Sequence, residues 1–448
     1  MVNDQKMYDL IGIGVGPFNL SLAALLDGVP EVEGIFFEQR EKFDWHPGML
    51  IEGTKMQVPF LADLVTMADP TNPYSFLNYI TEHNRMYHFY FLQRLEIPRR
   101  EYNDYCQWAV NKLPSCQFGK RVVDVKHVRE KDPYFEVEVL EVASGKKEKY
   151  RGKNLVIGSG SHPAMPMSFQ GLPNEDVFHT AEFLDHQERC RSAKSITVVG
   201  SGQSAAEVFR ELLKEQPDFG YRLDWLTRSS GFLSMEDTKL NLEHFSPDYV
   251  NYFYSLPEEE KEQIFSSQDL LYKGISAHTI TDIYNLLYEY SVGAQPLNVG
   301  LQVLTEVHDI VKKAGGEGYE LKCEQWQQEK PFTHESDVVI VGTGYRPFVP
   351  DFIHHLDDII KWDENDQYKV RPDYRLYKKE DIPNEIYVHS AISKSHGVGS
   401  TNLGLAVHRN KVIINHLAKK EVYPLSNHNV FQNFGIPQSE ADESTGNE

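Results

Sequence analysis

Cysteine is scarce: Cys106, Cys116, Cys190 and Cys323 are the only four in 448 residues. None forms a C-x-x-C pair, which excludes a disulfide framework, a thiolate zinc site and a dithiol redox centre. A reducing, cytoplasmic setting is expected instead. Positive charge is also short. Lys and Arg number 45 against 66 Asp and Glu, a formal net charge of −21, so no basic face remains for a nucleic acid. Long apolar runs are missing: none approaches the ~18 residues that would span a bilayer. The polar start Met1–Lys6 leads straight into a strand-like run, so no cleavable leader is expected. At 40% apolar and 25% charged residues, the chain has the balance of ordinary globular domains.

What is present is a series of short apolar runs closed by glycine: Tyr8–Gly14, Gly34–Glu38, Asn154–Gly160, Ser195–Gly202 and Ser336–Gly344. Such runs read as strands of a buried parallel sheet. Helix-like stretches separate them, so the fold class is α/β with two Rossmann-like dinucleotide-binding units. From about Gly231 to Val299 the texture changes. Pro257 and three glutamates follow Ser255 as a helix start, and Ile280, Ile283, Tyr284 and Leu287 repeat at helical spacing. This stretch reads as a helical insertion. The acidic stretch from Gln438 to Glu448 reads as a disordered tail.

Two strand–glycine–helix units carry the chemistry. In the first, Gly12, Gly14, Gly16 and Pro17 precede an apolar helix, with Pro17 taken to replace the third glycine of the fingerprint. Backbone N–H groups at such a turn cradle a pyrophosphate. Glu38, ending the next strand-like run, suits the ribose hydroxyls of an adenosine without a 2′-phosphate, hence FAD. In the second, Gly200, Gly202, Gln203 and Ser204 open a helix, and Arg228 stands where the first unit has its acid. A cation there suits a 2′-phosphate, hence NADPH. The pair points to a flavoprotein oxidoreductase. The spacing of a Baeyer–Villiger fingerprint is absent.

Beyond these turns, Gly14–Leu20, Phe43–Met49 (F-D-W-H-P-G-M), Met56–Leu61, Asp69–Phe76 (D-P-T-N-P-Y-S-F), Gly342–Arg346 and Ser395–Gly397 resemble the flavin-dependent N-hydroxylating monooxygenases of siderophore biosynthesis. The resemblance runs from residue 8 to about 410. It implies that NADPH reduces FAD, that reduced flavin takes up O2 as a C4a-hydroperoxide, and that a neutral terminal amine attacks the distal oxygen. It further implies that Gln57 and Met56 pack against the isoalloxazine ring as catalytic-site residues. Trp45 and His46 would line the flavin site, with Gly344, Tyr345 and His396 among the cofactor contacts. A homotetramer or homodimer is expected on the same ground.

One departure bears on the substrate. The amino-acid hydroxylases of this family place a lysine, which clamps the substrate carboxylate, where this chain has Ala62. The further polar clamps fall on Leu242, with Asn241 and Glu243 beside it, and on Leu271. A desolvated carboxylate left without its cation costs roughly 3–5 kcal/mol, so a short diamine is expected, putrescine first and cadaverine next. If Lys55 or Lys239 replaces the clamp, the substrate is L-lysine or L-ornithine. A redox-inactive nucleotide-binding protein is the remaining alternative. Glu243 and Asp248 are candidates for holding the distal ammonium. The expected division is FAD-binding at 1–165 and 376–448, NADPH-binding at 166–232 and 300–375, and a helical substrate-binding region at 233–299.

Overall fold

The computed structural model describes residues 6–293 and 297–436; the tail read from Gln438 to Glu448 lies outside them. The strand Met7–Ile13 runs parallel to Gly34–Phe37 on one side and to Lys147–Ile157 on the other. Lys147–Ile157, at 11 residues, serves two partners along its far edge. Its first half pairs antiparallel with Tyr134–Glu141, and its last three residues pair parallel with Ile386–Val388. Leu10, Ile11, Leu155, Val156 and Ile157 are fully buried, as expected of central strands covered on both faces.

A second, wholly parallel sheet is ordered Val299–Gln302, Arg222–Leu226, Ser195–Val199, Val338–Val341 and Val177–His179. An antiparallel sheet of Thr305–Lys312, Tyr319–Gln325 and Lys330–Ser336 packs Ile310, Tyr319 and Leu321 onto Val199, Leu226 and Val339. The chain passes between the two parallel sheets twice, at Ser161–Pro163 and Tyr345–Pro347. These two crossings pair antiparallel with each other.

The insertion is helical, with a turn at Asn241–Phe245 and helices at Pro247–Ser255, Glu258–Ser267, Asp269–Tyr272 and Ala277–Tyr290. Ile283 is buried in the second core, whereas Tyr284 on the same expected stripe faces solvent.

One boundary needs correction. Residues 351–375 were expected in the second unit, but Ile353, Leu356, Ile359, Tyr368 and Val370 pack with Ile11, Ile13 and Leu155 on the first sheet. Both faces of the second sheet are already covered, by the helix Gln203–Phe219 and by the antiparallel sheet. The apolar side chains that follow the Tyr345–Pro347 crossing therefore find their open face on the first.

Candidate active site

The first glycine turn is Gly14–Val15–Gly16. Gly14 has φ +85, and a Cβ there would stand 2.5 Å from the Gly158 carbonyl oxygen. Gly16 caps the helix Pro17–Leu26 with Pro17 in its first turn and no side chain on the free N–H groups. Gly12 lies inside the strand, where a side chain would run into the Phe36 ring. The third fingerprint position is therefore Asn19 and not Pro17, a correction to the sequence reading. Asn19 Nδ2 donates to the carbonyls of Ile13 and Gly14 at 3.3 and 2.7 Å, and its buried Oδ1 is left without a partner.

The second turn repeats the geometry. Gly200, at φ +131, would drive a Cβ into the Gly342 carbonyl, Gly202 caps Gln203–Phe219, and buried Ala205 fills the third position. Both turns leave uncapped N–H groups at the positive end of a helix, which is what a pyrophosphate requires.

Glu38 ties the first turn to the loop after the next strand. Its carboxylate accepts from Val15 N at 2.9 Å and from Arg40 N at 3.0 Å, with lone pairs left for ribose hydroxyls. The open space at Gly16 and the acid beside it fit an FAD adenosine diphosphate. At the second turn Arg228 is exposed just beyond the strand Arg222–Leu226, and the Ser201 and Ser229 hydroxyls meet at 2.9 Å, a donor set that fits a 2′-phosphate. The Arg228 carbonyl accepts from Trp326 Nε1 at 2.8 Å. Trp326 was not foreseen, because it arrives from the antiparallel sheet.

Ser204 lies half-buried in the first helical turn. Gln203 departs from expectation. Its side chain bonds Glu207 at 2.9 Å and Thr279 at 3.2 Å, and it accepts from Ser276 N at 2.8 Å. It therefore locks the second helix to the insertion and is not free for the cofactor. Glu207 in turn takes both guanidinium nitrogens of Arg99 at 2.8 Å, a buried pair joining the two sheets' helices. No local motif announces this pair.

Several expected residues meet between the sheets. His46 sits in the left-handed region at φ +50, held there as Gly48 packs on the Ala181 carbonyl. Its ring contacts Trp45 at 5.1 Å and Tyr345 at 5.3 Å, and His179 meets Tyr345 at 5.3 Å from the other sheet. Burial, aided by the charge of Arg99, pushes His46 down to about 4, so it is neutral at pH 7. Trp45 also packs edge-on against Tyr102. Tyr345 follows Gly344, whose φ is +79. Met56 is buried in the first core, whereas Gln57 is exposed and its Nε2 donates to Met235 Sδ of the insertion at 3.0 Å.

The expected substrate residues converge on the turn Val398–Gly404. A Cβ at Gly404 would lie 3.7 Å from Ala62 Cβ and 3.2 Å from Asn402 Oδ1; a Cβ at Gly399 would lie 3.9 Å from the His244 carbonyl. Asn241 is half-buried and Leu242 exposed. The charge of Lys55 acts on His278 of the insertion, and Lys239 is exposed.

Four of the expected residues are engaged in other contacts. Leu271 is buried with Tyr249, Phe253 and Val398 and serves as packing. His396 is buried, stacked on Tyr374 at 4.7 Å with Tyr254 at 5.3 Å, and burial pushes it down to about 3. Glu243 and Asp248 are occupied: Glu243 accepts from Phe431 N and Gln432 N at 3.1 and 3.0 Å, and Asp248 from Asn429 N and Nδ2. They tie down the C-terminal segment, whose Phe434 packs on Tyr249.

Residues 6–347 match the family model described as L-lysine 6-monooxygenase/L-ornithine 5-monooxygenase. The chain belongs to this family. Membership makes it a monooxygenase. It is 38% identical over 433 residues to a putrescine N-hydroxylase of Shewanella oneidensis, covering 96% of this chain and 85% of that protein. Among solved structures it resembles the FAD-bound cadaverine monooxygenase of the desferrioxamine pathway from Erwinia amylovora, with TM-score 0.92 and 38% identity over 97% and 99% of the two chains. It also resembles an ornithine N-hydroxylase from Kutzneria holding reduced FAD, NADP+ and L-ornithine, with TM-score 0.85 and 28% identity over 92% and 99%.

Proposed function

We propose that this enzyme N-hydroxylates one terminal amine of a short aliphatic diamine, putrescine first and cadaverine next, using FAD, NADPH and O2, in hydroxamate siderophore synthesis. The carrying observation is Ala62, a methyl side chain where the resemblance places a carboxylate-clamping lysine, its Cβ 3.7 Å from where a Cβ on Gly404 would stand. A substrate carboxylate brought to that place would be desolvated without a cation, at a cost of several kcal/mol. A diamine brings no carboxylate. The putrescine- and cadaverine-acting relatives support the same reading.

In this reading the sheet built on Met7–Ile13 binds FAD, and the sheet built on Ser195–Val199 binds NADPH. FAD, when bound and reduced, supplies the centre that transfers oxygen to nitrogen. The Gly14–Gly16 turn and Glu38 hold its adenosine diphosphate, and Arg228 selects the 2′-phosphate of NADPH. The Met56–Gln57 loop, braced on Met235, would lie along the flavin and help to keep water from the reacting atoms. The attacking amine must be neutral, although an alkylammonium of the lysine kind has a pKa near ~10.4 in water. A water-poor site beside the flavin would disfavour the ammonium form. The four cysteines are free and buried, which suits a cytoplasmic enzyme.

The test is hydroxylamine formed per NADPH oxidised across a panel of diamines and amino acids. Putrescine and cadaverine are expected to couple the two. Robust L-lysine or L-ornithine hydroxylation with no diamine turnover would overturn the proposal.

A further inference from the structure

Arg409, in the helix Leu403–Ala418, is 2% exposed. Its Nη1 donates to the His389 carbonyl at 2.6 Å and its Nη2 to the Ser400 carbonyl at 2.8 Å. Nη1 also stands 3.4 Å from His389 Nδ1, which accepts, because a guanidinium can only donate. The ring centres of Phe18 and Tyr374 each lie 5.2 Å from the guanidinium carbon. Its buried Nε has no partner among the described residues.

The surroundings are therefore carbonyls, a neutral imidazole and aromatic faces. Among the described residues no Asp or Glu acts on this charge, and burial keeps His389 neutral. Arginine holds its proton even so. A buried charge is costly until an opposite one is brought to it. Arg99 and Arg375, also largely buried, show the usual solution, the first paired with Glu207 and the second with Asp373 and Glu385.

The position of Arg409 indicates where its counter-charge comes from. His389 follows the strand Ile386–Val388, and its N donates to the Ile157 carbonyl at 2.9 Å. The guanidinium thus stands at the carboxyl end of the first sheet, where open α/β sheets take their ligands. Phe18, against its other side, comes directly after Gly16 and Pro17 at the start of the first helix. Asn410 Nδ2 donates to the Phe18 carbonyl at 3.1 Å and to Ser21 Oγ at 2.8 Å, so the two helices are fixed to each other.

We propose that Arg409 is the counter-charge of the FAD diphosphate held at the Gly14–Gly16 turn. The fold places one positive charge behind the turn and leaves it without an acid of the chain's own until the cofactor's anion arrives. An interior of low polarity transmits such a charge with little screening. The same guanidinium holds the Ser400 carbonyl, so the charge that favours the cofactor also fixes the turn leading to Asn402 and Gly404. The inference rests on the reading that FAD lies along the first sheet, and it does not depend on which amine is hydroxylated.

The test titrates FAD and ADP into the full-length apo-protein by calorimetry and reads melting temperatures with and without ligand. ADP brings the diphosphate without the flavin. Arg409→Gln is expected to bind both about tenfold more weakly, and Arg409→Lys, which keeps the charge but not the planar fork, to recover most of the loss. His389→Asp makes the same test with Arg409 in place, because its carboxylate would meet Nη1 where Nδ1 now stands. It is expected to raise the melting temperature of the apo-protein and to weaken both ligands, while the neutral His389→Asn leaves affinity near the parent's. A side chain that only packs would lower both melting temperatures and leave the affinities alone, with lysine no better than glutamine; that result overturns the proposal. So does His389→Asp binding FAD as the parent does, or a loss for FAD without one for ADP, which would assign the charge to the flavin ring. Glu38→Ala separates the underlying reading. Unchanged FAD affinity there removes the placement of FAD and the proposal with it, whereas a loss there with none in Arg409→Gln or His389→Asp overturns the proposal alone.

Discussion

Replacing Ala62 by lysine tests the physics of the substrate site. The new ammonium would sit by Gly404 and Asn402, at the N-terminus of the helix Leu403–Ala418. The helix end itself opposes a cation by about 0.3–1 kcal/mol, so a fall in melting temperature of no more than about 1 °C is expected for a chain of this length. The larger effect falls on the substrate. Two like charges about 4 Å apart repel by about 4 kcal/mol at an effective dielectric of 20, and the flexible lysine relieves part of this by turning away. The expected loss in kcat/KM for putrescine is therefore about 10- to 1,000-fold, with the converse gain for L-ornithine or L-lysine held to about tenfold because Leu242 supplies no polar partner. The assay is hydroxylamine formed and NADPH consumed for each amine, with FAD content as the control for folding. An Ala62→Lys enzyme that hydroxylates putrescine as well as the parent refutes the placement of the distal ammonium near residue 62.

Other outcomes follow from the same geometry. Arg228→Ala removes charge-assisted contacts worth about 1.5–3 kcal/mol, so preference for NADPH over NADH should fall about 10- to 100-fold in the ratio of kcat/KM. Glu243→Ala frees the C-terminal segment: trypsin should cut after Lys420 more readily and amine KM should rise several-fold, with FAD affinity unchanged. Burial works to raise the Glu243 carboxyl, but the amides of Phe431 and Gln432 and the Gln432 side chain together outweigh it and hold it below its ordinary value. Its hold on the segment is therefore full above the unfolded carboxyl pKa and lost as pH falls through the lower folded one. For His46, lowered by burial and by Arg99 to about 4, the neutral form is the folded one. Its contribution is full above about 6.5 and declines towards pH 4, so melting temperature should fall over that window, and less so in His46→Gln.

Much of the fold is legible in the sequence because its signals are local. Buried parallel strands must be continuous apolar runs, and the ends of such strands need glycine wherever φ turns positive, as at Gly14 and Gly200. The register of the first turn is displaced by one glycine pair from the sequence reading. Gly12 and Gly14 look alike in sequence, and only the Phe36 ring across the sheet separates a strand glycine from a turn glycine. Residues 351–375 go to the other sheet because an apolar run states that it will be buried without naming against what. Gln203 looks like a cofactor residue by its place in the motif. Its neighbours Glu207, Ser276 and Thr279 give its side chain a nearer use.

Local runs of residues were enough to announce two strand–glycine–helix units, an acid after the first and an arginine after the second, and an alanine at residue 62. Each of these depends on a few neighbours in the chain. Only the folded molecule reveals that Glu243 and Asp248 are occupied by the C-terminal segment, that Trp326 supports Arg228, and that the aromatic face of Met86–Leu92 is left uncovered. Hydrogen bonds and packing between residues far apart in the chain have no local pattern, because chain order says nothing of which surfaces remain open once the cores are filled.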